Sequence, residues 1–87
     1  MPSLRKVFEA VLTGRSDTNV RFDDLRRVLR RLGFSERVRG SHYIYSRQGV
    51  DEIVNIQEGA GGKAKPFQVK QVRELITMYK LTILNEG

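Results

Sequence analysis

The stretch Phe34-Ser-Glu-Arg-Val-Arg-Gly-Ser-His-Tyr-Ile-Tyr-Ser-Arg-Gln-Gly-Val-Asp-Glu-Ile-Val-Asn-Ile-Gln57 decides the fold. Phe34, Glu36 and Val38 alternate with Ser35, Arg37 and Arg39, which is the period of a strand. His42–Arg47 is rich in Tyr and Ile, residues that suit a pleated, half-buried surface. After a turn at Gln48-Gly49, residues Asp51–Gln57 supply Ile53, Val54 and Ile56 for a third strand. Links of two to four residues join antiparallel hairpins, because a parallel crossover needs a dozen residues or more.

Helical patterns flank these strands. Upstream, a helix starts near Phe22 or Asp23, with two carboxylates at the positive end of its dipole and Gly33 just beyond its last turn. At about 100° per residue, Leu25, Val28, Leu29 and Leu32 share one arc, and Arg26, Arg27, Arg30 and Arg31 share the opposite one. Further upstream, residues 3–13 read as a short helix capped by Ser3 and ended by Gly14, with Leu4, Val7, Phe8 and Val11 on one face. Downstream, residues 58–65 read as a flexible, glycine-rich loop carrying Lys63 and Lys65. Pro66 then opens a helix with Val69, Val72, Leu75, Ile76 and Tyr79 on its apolar arc and Lys70 and Arg73 on the other. Leu81, Ile83 and Leu84 have no clear period and fit either more helix or an edge strand.

The expected architecture is α+β: a three-stranded antiparallel sheet with the second and last helices on one face, and the first helix as an extra element. At 87 residues the chain is one domain, with its core in about residues 22–80 and an N-terminal helix and loop in 1–21. It has no Cys, which removes disulfides, thiolate zinc sites, iron–sulfur clusters and thiol nucleophiles. One His and scattered carboxylates lack the clustered spacing of a metal site, so no metal or cofactor is expected. No run nears the ~20 apolar residues of a spanning helix, and the first residues lead into no signal-peptide core. The expectation is a cytoplasmic protein.

The net charge of +6 fits an anionic partner. Ten of the sixteen Lys and Arg lie in residues 1–40, and eleven are Arg, whose planar fork suits phosphate or carboxylate. His42 is the sole imidazole, the side chain whose ordinary pKa near ~6.5 exchanges protons at neutral pH. It follows Gly40 and Ser41 out of a hairpin into the middle strand. Ser41 and His42 are adjacent strand residues on opposite faces, so they are not a nucleophile–base pair. The plain alternative makes His42 a strand residue facing solvent or hydrogen-bonded to backbone. Cleavage of RNA suits one imidazole without metal or thiol, because the 2′-hydroxyl is an internal nucleophile. Arg39, Lys63, Lys65, Lys70 and Arg73 are the candidate phosphate contacts, against the alternative that they are ordinary surface charges. The loop Gly59–Gly62 lacks the order of a nucleotide-binding loop.

Leu32-Gly33-Phe34, then Gly40-Ser41-His42-Tyr43-Ile44-Tyr45, then Gly62-Lys63-Ala64-Lys65-Pro66-Phe67-Gln68-Val69 and the closing helix resemble the HicA family of toxins over roughly residues 22–80. The resemblance implies a double-stranded-RNA-binding-domain-like fold and a metal-independent ribonuclease acting on messenger RNA (an mRNA interferase). It implies His42 as the catalytic residue, with Gly40 and Ser41 supporting it. It also implies an acidic antitoxin of the HicB type that masks the histidine; Arg27, Arg30 and His42 are the candidate antitoxin contacts. Two departures stand out: the helix over 3–13 is not part of the minimal pattern, and Tyr43 occupies a place where many members carry a second His. Three readings follow. One is an endoribonuclease using His42, the second a non-catalytic RNA-binding module, and the third an interaction protein docking an acidic partner through the arginines of residues 26–31.

Overall fold

In the computed structural model, which describes residues 3–83, the three extended segments form one antiparallel sheet in the order β1 (Ser35–Arg39), β2 (His42–Arg47), β3 (Val50–Ile56). Arg39 pairs with His42 across the first hairpin, leaving Gly40-Ser41 as a two-residue loop. Gly40 has φ +59° at the first loop position, the backbone of a type II′ turn, which matches the twist of the flanking strands. Tyr43 and Tyr45 face Ile56 and Val54, while Arg47 faces Val50, so β3 advances four residues where β2 advances two. An offset of two residues keeps every side chain on its own face.

Glu36, Tyr43, Tyr45, Val54 and Ile56 turn toward the helices; Arg37, Arg39, His42, Ile44, Ile53 and Asn55 turn the other way. Alternation along the first strand is as expected from its pattern. Helix α2 (Phe22–Arg31) and helix α3 (Pro66–Tyr79) cover the inner face with Leu25, Val28, Leu29, Val69, Val72, Leu75 and Ile76, all buried. The ring of Phe22 meets Tyr43 edge-on, with centroids 5.0 Å apart. The Tyr79 hydroxyl donates to Glu52 Oε1 at 2.6 Å, which fastens the end of α3 to β3.

Helix α1 (Leu4–Thr13) starts as expected: Ser3 Oγ accepts from the Lys6 amide and Gly14 ends it in the left-handed region. Its place was open from sequence. It packs against both α2 and α3, burying Leu4, Val7 and Val11. Arg73 of α3 locks that contact, donating to both carboxylate oxygens of Asp17 and to the Val11 carbonyl, each at 3.0 Å. A Cβ on Gly14 would stand 2.9 Å from the Arg73 guanidinium, so the close approach as well as the φ of +73° calls for glycine.

Three expectations need correction. Arg26, on the arc read as open to RNA, an acidic partner or solvent, is engaged within the fold: its Nε and Nη2 bond the Glu36 carboxylate at 3.0 and 3.2 Å, and its Cζ sits 4.6 Å from the centre of the Tyr43 ring. The glycine-rich loop is a closed turn rather than a loose one. The Gly59 amide donates to Lys63 O, the Ala64 amide to Val20 O, both at 2.8 Å, and Ala64 is buried. From Lys80 to Ile83, the described residues after Tyr79, the chain neither continues as helix nor pairs as a strand. Lys80 turns into the left-handed region, and the Leu81 amide closes on Ile76 O at 3.0 Å, so that Leu81 folds back into the core. Leu84 lies outside the described residues.

Candidate functional site

His42 opens the central strand, and the II′ turn before it fixes where its backbone emerges. Its side chain is exposed on the outer face. Nδ1 lies 3.1 Å from Asn55 Oδ1 on the neighbouring strand. An amide oxygen only accepts, so Nδ1 is the donor in this bond, and in the neutral ring so held the lone pair is on Nε2. That is the form in which a histidine acts as a base. Arg39 is its cross-strand partner and Arg37 lies two residues back on the same face, both exposed. Beyond them Ser35, Arg37, Ile44, Ser46 and Ile53 line a groove of about 270 Å³.

Ser41 serves the turn rather than proton transfer. Its Oγ accepts from Gln57 Nε2 at 2.9 Å, and the Gln57 amide donates to Oε1 of Gln68 at 3.3 Å. Gln68 is buried in the first turn of α3, so two hydrogen bonds join the histidine hairpin to the start of that helix. Lys65 caps α3, with Lys63 and Lys70 exposed on either side in sequence, and no acidic residue occupies the helix's first turn. Thus the hairpin that carries Arg39, Ser41 and His42 and the lysine-bearing start of α3 lie at one end of the molecule, joined through Gln57 and Gln68.

Arg73 does not join them. With its donors committed to Asp17 and Val11, it holds α1 in place instead of presenting a free fork to phosphate, and its ion pair raises its pKa. Arg27 pairs with Asp24 at 3.2 Å, while Arg30 is exposed.

Sequence reasoning missed Asn55, Gln57 and Gln68, whose roles depend on strand register and helix docking. It also missed the cluster beneath β1. Glu36 accepts from Tyr45 Oη at 2.5 Å as well as from Arg26. The Arg26 hydrogen bonds hold the Glu36 carboxyl below the usual carboxylate range, despite burial that opposes this. Burial, then the bond to Glu36, pushes the Tyr45 hydroxyl up. The signal was available: a carboxylate in register with Phe34 and Val38 on the inward side must find a cation or a hydroxyl.

Among the described residues no three His, Cys, Asp or Glu side chains gather to hold a metal ion, and no helix is long and apolar enough to cross a membrane. No family model matches the sequence, and neither a curated protein nor a solved structure matches it.

Proposed function

We propose that the chain is an endoribonuclease of the HicA-toxin kind that cleaves messenger RNA with His42 as general acid/base. The observation that carries this reading is the exposed imidazole of His42, set at a rigid hairpin end. Asn55 occupies its Nδ1, its Nε2 stays available, and Arg39 lies opposite.

Nε2 takes the proton of a ribose 2′-hydroxyl as that oxygen attacks the adjacent phosphorus. The bond from phosphorus to O5′ breaks, O5′ takes up a proton from water, and the imidazolium returns its proton to the hydroxide left behind. A 2′,3′-cyclic phosphate and a 5′-hydroxyl remain. Arg39 and Lys65 are the groups proposed to balance charge on the phosphorane oxygens. The nucleophile belongs to the substrate, so the reaction calls on no metal. The reading carries with it a cytoplasmic site of action, a double-stranded-RNA-binding-domain-like fold, and an acidic antitoxin of the HicB type that covers the outer face.

Acid–base help of this kind is worth ~10²–10⁴-fold, so His42→Ala should lower cleavage of a messenger transcript by that factor. The variant should keep its melting temperature, since the side chain is exposed. A gel of RNA incubated with wild type and variant, with and without a chelator, is the test. Undiminished cleavage by the variant, or cleavage stopped by the chelator, rejects the mechanism. Equal, salt-sensitive duplex binding by both proteins without products would favour a non-catalytic RNA-binding module.

A further inference from the structure

Among the described residues Phe67 is the most exposed large hydrophobic side chain, at 67%, and the only aromatic among the exposed ones. Single exposed apolar residues are ordinary; the surroundings of this one are not. It is the second residue of α3, directly after Pro66, which fixes the backbone of that turn. Lys70 follows it at i+3, on the same side of the helix, and Lys63 and Lys65 precede it. Gln68, the next residue, is the one bonded to Gln57, whose side chain holds Ser41 beside His42. The helix start that carries an aromatic ring in water and is flanked by three lysines is therefore tied to the histidine hairpin at one end of the fold.

We propose that Phe67 is a base-stacking platform for single-stranded RNA, holding a nucleotide near the one cut at His42. Every base offers a π-face to an aromatic ring, and ammonium groups on either side follow the phosphates, so ring and lysines together fit an unpaired strand. A duplex keeps its faces stacked internally and has none to offer. The inference rests on the ribonuclease reading and adds the substrate class: unpaired rather than duplex RNA.

The test uses the full chain in the His42→Ala background, so that no product forms, and a short fluorescein-labelled single-stranded RNA followed by anisotropy. Phe67→Ala should weaken binding by about 5- to 150-fold, the worth of one stacked base. Phe67→Trp should restore it and Phe67→Leu should not. A blunt duplex of the same sequence should bind all four proteins alike. Single-strand binding unchanged in Phe67→Ala, or fully restored by Leu, overturns the proposal. Cleavage by wild type together with unchanged Phe67→Ala binding sinks stacking alone. A parent protein that binds no RNA sinks both readings, whereas full cleavage by His42→Ala sinks the catalytic one and leaves stacking supported if Phe67→Ala still loses the strand.

Discussion

Removing the Arg73 side chain should unfasten α1. Its guanidinium makes three hydrogen bonds of 3.0 Å, two to the Asp17 carboxylate and one to the Val11 carbonyl. Hydrogen bonds to charged groups are worth ~1.5–3 kcal/mol each in protected settings. Both side chains of the pair remain about one-fifth exposed, at 22% and 21%, so screening by water reduces that sum considerably. Arg73→Ala also leaves the half-buried Asp17 and the carbonyl of the buried Val11 without their partner. A net loss of about 2–3 kcal/mol follows, which for a domain of this size lowers the melting temperature by ~10–20 °C. Arg73→Lys keeps the charge but not the planar fork, so it should fall between. Circular-dichroism melts of the three proteins at neutral pH, paired with RNA-binding measurements on each folded variant, provide the assay. An Arg73→Ala protein with an unchanged melting temperature and a weakened affinity for RNA would refute the reasoning, because Arg73 would then be a phosphate contact.

Asn55→Ala should lower kcat for RNA cleavage about 5- to 10-fold, the worth of one orienting hydrogen bond, with KM and melting temperature unchanged; a rise in KM alone would show that Asn55 does not orient the imidazole. Glu36 gives the fold an acid limb. Because its folded pKa is depressed, its contribution is present above the ordinary Glu value near ~4.3 and is lost as pH falls through the lower folded value. Glu36→Gln should therefore melt lower at pH 7 and lose less stability than wild type on acidification, as melts between pH 7 and pH 3 would record. An unaltered acid limb would mean that the carboxylate does not carry it.

Alternation made the sheet legible, because a period of two leaves Tyr43, Tyr45, Val54 and Ile56 only one consistent inner face. The hairpin site was legible for a simpler reason: Gly40, Ser41 and His42 are contiguous. Asn55 was not, since a two-residue turn at Gln48-Gly49 would set it directly opposite His42, and the offset in β3 moves it to a diagonal. A helical wheel gives a side chain's direction about its own axis but not what stands there. It therefore put Arg26 opposite the apolar arc without showing that Glu36 and Tyr45 wait on the adjoining strands. Composition likewise suggested a loose glycine-rich loop, while the bonds that close it run to Val20, more than forty residues away.

The lock on α1 also orders events in time. Asp17 and Arg73 are separated by 56 residues, so the loop between them must close before either gains a partner. During synthesis α1 emerges well before α3 exists. Leu4, Val7 and Val11 can meet α2 early, but the bond that fastens them waits for nearly the whole described chain. Contacts of such separation slow folding. Of the described helices α1 precedes the other two in the chain yet is fastened only once α3 exists, and a nascent chain lacking α3 carries an unfastened apolar face that chaperones or proteases can find.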